Sequence, residues 1–257
     1  MIAVLWHSTT HPLTTHSPTS FIGEETYTPG APLSSKPTFI VDPIDGTTNF
    51  VHSYPYACIS LGFTVARTPV VGVVYNPFTG TLYSAISGHG AYRTLRAFDN
   101  SSPGEKKQKT QLPLRDEPLE KLNKALVAIE WGSDRDGANY ACKIATFNNL
   151  NRAESEGGAM VHSSRSLGSA ALNMCGVAEG GLDAYWEGGC WAWDVCAGWC
   201  ILAEAGGRVV AGNPPQGGKD EEVEVTSRVY LAVRKGVSEG FVRQFWGCID
   251  GRLTYEH

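Results

Sequence analysis

Two aspartates, Asp42 and Asp45, stand three residues apart in the sequence DPIDGTTNF at positions 42–50. Carboxylate oxygens are the ligands that a hard cation such as Mg²⁺ prefers. Pro43 fixes its own φ and biases Asp42 toward an extended conformation, while Gly46 permits backbone angles that a side chain would resist. The sequence therefore predicts a tight turn that binds a cation. Because Mg²⁺ takes six oxygens, further ligands must come from elsewhere in the chain, from water or from substrate.

Short apolar segments precede the acidic residues and predict the strands that position them. Residues 39–41 (FIV) read as a strand, so we expect Asp42 to leave the sheet at the end of that strand. Upstream, Phe21 and Ile22 lead through a glycine to Glu24 and Glu25, again as a strand end that delivers carboxylates into a loop.

A third acid, Asp194, stands at the start of a helical run that covers residues 195–205 and stops at a glycine pair. An Asp near a helix N-terminus is ordinary capping chemistry, which is the alternative to a ligand role when Asp194 is considered alone.

Three motifs, taken together, resemble the inositol monophosphatase family of metal-dependent, lithium-sensitive phosphatases. They are GEE at 23–25, DPIDGTTNF at 42–50 and WDxxAGxxxxxEAGG at 193–207, and they occur in the family's order. The resemblance extends from about Phe21 to residues 226–232, which look like the family's last strand. It implies an α+β fold, a layered αβαβα sandwich.

The resemblance also implies a set of metal ligands. One Mg²⁺ would be held by Glu24, Asp42 and the backbone carbonyl of Ile44, and a second by Asp42, Asp45 and Asp194, so that Asp42 bridges the two ions. Two or three Mg²⁺ ions are therefore expected as cofactors, in the arrangement that clamps the attacking and leaving oxygens of an in-line displacement.

Residues of the turn after Asp45 are implied in catalysis. In the family, the threonine that matches Thr47 helps to orient the nucleophilic water, with Glu24 beside the same water. The segment Gly46-Thr47-Thr48 also lies where backbone N–H groups and a helix N-terminus would point at a phosphate.

Substrate contacts are expected from the C-terminal half of the chain. By resemblance, Glu187 matches an acid that hydrogen-bonds the hydroxyls of the alcohol, and Ser133 matches another residue of the pocket. Gly168, Ser169 and Ala170 look like the loop and helix start that line this pocket. A solvated loop residue is the alternative for Glu187 and for Ser133.

These residues together predict Mg²⁺-dependent hydrolysis of a polyol phosphate, with inositol monophosphate as the first candidate, by a water that two metal ions activate. A related bisphosphate nucleotidase or histidinol-phosphatase is a competing prediction, although Thr48-Asn49-Phe50 resembles the inositol branch. The alternative from another class is an impaired paralogue or pseudoenzyme that binds metal and ligand without turnover.

The N-terminal segment departs from the family pattern. Residues 1–20 contain no Asp or Glu, whereas the resemblance implies an upstream Asp that hydrogen-bonds the threonine at position 47 and two further helices. A missing first exon, a truncated and impaired paralogue, or a new non-enzymatic role would each explain this start. The Ser/Thr/Pro/His-rich composition predicts disorder over 1–20 and an incomplete first helical layer.

The remaining chain divides into two predicted parts, an N-terminal α+β half at 21–118 with the metal site and a C-terminal α/β half at 119–257 with the substrate pocket. An antiparallel meander is expected over 56–85. The polar segment 93–116 reads as a surface insertion between the halves. Helices are predicted over 136–149 and 168–178.

Composition bounds the remaining functions. A chain of 257 residues with 42 % hydrophobic content can bury a sizeable core, and a net charge of −5 argues against a nucleic-acid partner.

With no apolar run that would span a bilayer, we expect no membrane segment and a cytoplasmic protein. Its seven cysteines read as reduced thiols, and Cys196 and Cys200 as core residues rather than zinc ligands. The expected partner is a small phosphate monoester, and a homodimer is possible.

Overall fold

The computed structural model describes residues 20–27, 32–99, 107–217 and 221–256. Its first sheet has seven strands that follow one another in chain order. They are β1 (Ser20–Gly23), β2 (Thr38–Asp45), β3 (Cys58–Val65), β4 (Thr68–Asn76), β5 (Thr81–Ile86), β6 (Ala91–Leu95) and β7 (Gln108–Gln111). Strand β1 runs parallel to β2, and every later pair is antiparallel.

The second sheet has five strands in the spatial order β11-β12-β10-β8-β9. They are β8 (Leu126–Ile129), β9 (Ser163–Arg165), β10 (Ala184–Gly188), β11 (Arg208–Ala211) and β12 (Val229–Val233). Because β8 runs parallel to β10 and to β9, the carboxyl ends of these strands meet at one edge of the sheet.

The described helices are α1 (Thr47–Val51), α2 (Gly137–Asn151), α3 (Ala170–Glu179), α4 (Ala192–Glu204) and α5 (Glu239–Cys248). Helices α3 and α4 contact each other and both sheets, so they form a layer between the sheets. None of the five has the length and apolar character that a bilayer crossing requires.

Alternation along the strands of the second sheet separates two hydrophobic cores. Tyr185 of β10 and Tyr230 of β12 belong to the core that holds α3 and α4, whereas Trp186 and Leu231, one residue further on, belong to the core that holds α2 and α5. The layers therefore run sheet, helices, sheet, helices. This confirms the α+β layered sandwich predicted from the sequence.

Helices pack on one face of the seven-stranded sheet in the part of the chain that the structure describes. Ile40 and Ala85 point to that face and are buried, whereas Phe39 and Ile86 point away and are 41 % and 54 % exposed. The segment 1–20, predicted to be disordered, lies outside the described residues except for Ser20, which begins β1.

Two expectations about the N-terminal half are wrong. Asp42 does not leave the sheet, because β2 continues to Asp45 and pairs with β3 through a bulge between these residues. The segment 93–116 is not simply a surface insertion, since β6 and β7 pair through Tyr92–Gln111 to Leu95–Gln108 and extend the sheet. Residues 100–106 of that segment lie outside the described part.

Other elements were predicted correctly, with shifted ends. The antiparallel meander at 56–85 corresponds to β3, β4 and β5. The helices predicted over 136–149 and 168–178 are α2 and α3.

Two glycines set how closely α4 approaches the first sheet. Gly62 on β3 and Gly72 on β4 are paired across the strands. A Cβ built on Gly62 would lie 2.5 Å from Cys196 Sγ, and one on Gly72 would lie 2.2 Å from the backbone oxygen of Ala197. The sheet thus accepts the α4 backbone at a distance that any side chain at these positions would increase.

Replacing Gly72 with alanine should lower the free energy of unfolding by about 2 kcal/mol or more, because the clash is with backbone and the helix must move. Urea denaturation measures this change. Gly247→Ala is the matched control, since its added methyl group meets nothing within 4 Å in α5; there we expect unchanged or slightly higher stability. Equal stability of the two variants would contradict the close-approach argument.

Candidate metal and substrate site

Three carboxylates converge where β2 meets the start of α4. One oxygen each from Asp42, Asp45 and Asp194 lie within 4.8 Å of one another. Asp42 and Asp45 are buried, and Asp194 is partly exposed. Three oxygens at this spacing, with one side open, form part of the coordination shell of a hard cation.

The bulge in β2 brings the first two carboxylates together. In a regular strand, residues three apart point to opposite faces of the sheet. Here Asp42 pairs with Ser60 and Asp45 pairs with Cys58, so three steps along β2 match two steps along β3. The extra residue restores the alternation and directs both carboxylates to the face that α4 covers.

Backbone and hydroxyl donors fix the orientation of each carboxylate. Asp42 Oδ1 accepts from the N–H of Ile44 at 2.8 Å. Asp45 Oδ2 accepts from the Ser169 hydroxyl and from the N–H of Ala171 at 3.1 Å, in the first turn of α3. These three hydrogen bonds favour the charged form of the two carboxylates.

Asp194 is the third residue of α4, and its Oδ2 accepts from the N–H of Trp191 at 2.6 Å. Capping, the alternative considered for this residue, is therefore present. It engages one oxygen only, so capping and proximity to the other two carboxylates are compatible. Ser60 on β3 donates to the Trp193 carbonyl at 3.1 Å, which ties this helix start to the first sheet.

The electrostatics of the cluster favour a positive partner. Burial, and then the charges of Asp45, Asp194 and Glu24, raise the pKa of Asp42 to about 10. Burial also raises the pKa of Asp45 to about 6, against the hydrogen bonds from Ser169 and Ala171, and raises the pKa of Asp194 well above its ordinary value. A divalent cation would remove this penalty, because it supplies the charge that the protein does not.

Glu24 lies beside this cluster rather than within it. Strand β1 pairs in parallel with β2, and Gly23 is opposite Val41, so the next residues, Glu24 and Asp42, stand at neighbouring strand positions. Glu24 is exposed, in a short 3₁₀ turn. The register thus places this acid where its charge acts on the three aspartates.

Ile44 and Thr47 are linked by a local hydrogen bond. The Thr47 hydroxyl donates to the Ile44 carbonyl at 3.1 Å, and Thr47 is exposed in the first turn of α1. A carbonyl oxygen has two lone pairs, so that of Ile44 retains capacity for a cation.

Gly46 makes the turn that follows the strand. Its φ is +82°, and an added Cβ would lie 2.9 Å from the Tyr56 carbonyl and 3.1 Å from the Gly168 carbonyl. Asn49 holds the same junction, because its side-chain amide donates to Tyr56 at 2.8 Å and to Leu167 at 2.7 Å. The turn is therefore fixed against the loop that precedes α3.

A cavity of about 520 Å³ opens beside the aspartates. Seven of the residues that we selected from the sequence line it, namely Asp45, Ser133, Gly168, Ser169, Ala170, Glu187 and Asp194. Gly46 and Thr47 lie in the adjoining turn, and Glu24, Asp42 and Ile44 surround the carboxylate cluster. The volume suits a small organic ligand.

Glu130 is a residue of this cavity that the sequence analysis did not select. It is 7 % exposed, and its Oε1 accepts from the N–H groups of Leu167 and Gly168 at 2.7 and 2.9 Å and from Asn173 at 2.8 Å. These bonds fix the loop before α3. The sequence did carry a signal for Glu130, because it directly follows the β8 strand. The same pattern, an acid at the end of a strand, pointed to Glu24 and Asp42.

Glu187, Arg135 and Tyr255 also line the cavity, and we call the part that they line its polar end. Burial, and then the charge of Glu130, raise the pKa of Glu187 to about 7. Arg135 and Tyr255 were not predicted. Tyr255 stands more than sixty residues along the chain from Glu187, so no local pattern pointed to it.

The comparisons with known proteins agree with the geometry. The sequence model of the inositol monophosphatase family matches residues 9–249. Two proteins of Saccharomyces cerevisiae are similar: inositol monophosphatase 1, at 43 % identity over 98 % of this chain and 81 % of that protein, and inositol monophosphatase 2, at 48 % over 91 % and 76 %. Among solved structures, an inositol monophosphatase from Anabaena has a TM-score of 0.66 and 30 % identity, over 85 % of this chain and 75 % of that one.

Stability should fall with rising pH when divalent cations are removed. In the folded state the pKa of Asp42 is about 10 and that of Asp45 about 6, both above the ordinary value of 3.8, so the folded protein binds more protons than the unfolded chain above about pH 4. It is therefore destabilised as pH rises through that range. We expect a lower melting temperature in chelator at pH 8 than at pH 5.5, and a recovery at pH 8 on adding Mg²⁺.

Asp42→Asn separates this effect from general pH dependence. The substitution removes a titrating group whose pKa is strongly raised, so the chelated variant should lose less stability between pH 5.5 and 8 and should gain less from Mg²⁺. Identical pH and Mg²⁺ responses in the variant and the parent protein would contradict the electrostatic account.

Proposed function

This chain belongs to the inositol monophosphatase family, and we propose that it hydrolyses the phosphate monoester of a polyol, with inositol monophosphate as the first candidate substrate. The observation that carries this proposal is a cavity that Asp45 and Asp194 of the carboxylate cluster line together with Glu187, Arg135 and Tyr255. A phosphate would lie at the cation-binding end, and the hydroxyls of its alcohol would lie against Glu187.

Mg²⁺ is the proposed cofactor, as two or three ions. Asp42, Asp45 and Asp194 are the proposed protein ligands at the centre, with Glu24 and the Ile44 carbonyl on the side toward β1. The donor set consists of oxygen atoms only, which suits a hard cation, and the raised pKa values of the aspartates are relieved by its charge. When bound, the ions supply Lewis acidity toward phosphate and water.

The protein groups around this centre have separate proposed tasks. Glu24 is exposed and acidic, so it would accept a proton from the attacking water. Thr47, with its hydroxyl 3.1 Å from the Ile44 carbonyl, would orient that water, and the N–H groups of the turn at Gly46 would face the phosphate.

Recognition of the alcohol is assigned to the polar end of the cavity. Glu187 would accept hydrogen bonds from ring hydroxyls, and Ser133 would donate or accept on the opposite loop. Gly168, Ser169 and Ala170 would form the floor between phosphate and alcohol, where glycine and alanine leave room for a ring.

A second candidate function is metal-dependent ligand binding without turnover. The observation that favours it is the Thr47 hydroxyl, whose proton is directed to the Ile44 carbonyl rather than to a carboxylate within the described residues. Calorimetry distinguishes the two candidates. Mg²⁺-dependent binding of inositol 1-phosphate with no phosphate release would favour the binding protein over the enzyme.

The family acts on small phosphate monoesters, and we propose such a molecule as the partner of this chain. We further propose a cytoplasmic location and a homodimer. Sedimentation equilibrium tests the dimer, and a monomer at micromolar concentration would reject it.

Release of phosphate from inositol 1-phosphate should require Mg²⁺. Asp42→Asn should lower kcat/KM by about a thousandfold or more, because it removes a ligand at the centre of the cluster. Asp250→Asn, an exposed acid away from the cavity, is the control and should retain activity. No turnover by the folded parent protein would contradict the proposed function, while an active Asp42→Asn would contradict the ligand assignment.

Glu24 and Glu25 form a matched pair, since both are exposed acids in the same 3₁₀ turn. The charge of Glu24, after burial and the charges of Asp45 and Asp194, contributes to the raised pKa of Asp42. We expect Glu24→Gln to lower kcat by about a hundredfold and Glu25→Gln to leave it within about twofold. Equal effects of the two substitutions on phosphate release would reject the role of Glu24.

A further inference from the structure

A lysine is buried behind the polar end of the cavity. Lys143 on α2 is 1 % exposed, and its ammonium group lies among backbone carbonyls rather than in water. Burial of an ammonium group is costly unless hydrogen bonds and opposite charges offset it, so such a residue is uncommon in a protein core. Lys143 is therefore a feature to explain by what it contacts.

Lys143 Nζ donates to two carbonyls from different parts of the chain. One is Trp131 at 3.0 Å, in the loop after β8, and the other is Gly188 at 3.3 Å, at the end of β10. Both residues line the cavity. One ammonium group thus connects two parts of the cavity wall, from the side of the wall that faces the protein interior.

The sheet itself does not make this connection. The parallel ladder between β8 and β10 ends at the pair Ile129 and Trp186. Beyond that pair, the segment after β8 carries Ser133 and the end of β10 carries Glu187. These are the two side chains that face the alcohol in the proposed function. Lys143 bonds to each segment just past the last ladder pair, so it joins them where the ladder between β8 and β10 has ended.

The space around the ammonium group is closely filled. A Cβ on Gly132, whose φ is +64°, would lie 2.7 Å from Lys143 Nζ. The ring of Tyr255 lies 5.9 Å from the same atom and packs against Gly188 and Gly189. A change at the lysine would therefore be transmitted to the cavity wall rather than absorbed by empty space.

The acidic groups that face Lys143 are Glu187, Asp134 and Glu130, with the Cys190 thiol beside them. Burial lowers the pKa of Lys143, and these groups act in the opposite direction. The ammonium charge in turn favours the ionised form of Glu187, whose pKa burial raises. The contacts and the charges both connect this lysine to the polar end of the cavity.

We infer that Lys143 is a positioning residue for substrate selectivity: it fixes the distance between the Ser133 loop and the Glu187 strand end, and so the fit of a polyol. This inference rests on the proposed function, because it assigns the alcohol to that end of the cavity. Lys143 does not touch the substrate. It acts through the two carbonyls that it holds.

Steady-state kinetics on two substrates tests the inference. Inositol 1-phosphate uses both ends of the cavity, whereas p-nitrophenyl phosphate has the phosphate but no polyol. For Lys143→Met we expect KM for inositol 1-phosphate to rise about tenfold with kcat within about twofold, and kcat/KM for p-nitrophenyl phosphate to stay within about twofold. Lys124→Met, at an exposed lysine, is the control and should change neither substrate.

Two results would overturn the inference: an unchanged KM for inositol 1-phosphate in folded Lys143→Met, or an equal loss with both substrates. If Lys143→Met does not fold, Gly132→Ala tests the same contact, because its methyl group would displace the ammonium; the same split between substrates is expected, and no split would reject the inference. Absence of phosphatase activity in the parent protein would instead count against the proposed function.

Discussion

Mutual repulsion among buried carboxylates is the constraint on which this structure depends. Oxygens of Asp42, Asp45 and Asp194 lie within 4.8 Å of one another, and burial raises the pKa of all three. A folded chain keeps such an arrangement only when something offsets its free energy. Part of the offset comes from helix N-termini, because N–H groups at the starts of α3 and α4 bond to Asp45 and Asp194. The rest is left for a cation.

Close backbone contacts, rather than side-chain packing, position the aspartates of the cluster. Gly62 and Gly72 let α4 lie against β3 and β4, and the Ser60 hydroxyl bonds to the carbonyl of Trp193 at the helix start. That contact sets the depth at which Asp194 enters the cluster. The glycine pair in the sheet and the acid on the helix are therefore parts of one arrangement, although about 120 residues separate them in the sequence.

The resemblance of three motifs to the family implied the layered α+β fold and the acids of the cluster, while the apolar run at 39–41 predicted the strand before the first motif. Asp42 was wrongly placed at the end of that strand. Pro43 and Gly46 indicated a tight turn, whereas the chain stays in β2 and directs both acids to one face through a bulge between Asp42 and Asp45. Glu130 and Lys143 were missed for a different reason. Their roles come from bonds to loops that only the tertiary structure brings near them.

The two ends of the cavity consequently differ in how they are encoded. The cation end is specified by short motifs whose residues hold one another through local backbone geometry, such as the Ile44 bond to Asp42. The polar end is assembled from the loop after β8, from β10 and from the C-terminal segment, and its shape depends on the contacts of Lys143 behind the wall and of Tyr255 within it. None of these residues belongs to the carboxylate cluster. On the proposed function, a chain of this architecture can therefore change which alcohol it accepts without rebuilding the cluster.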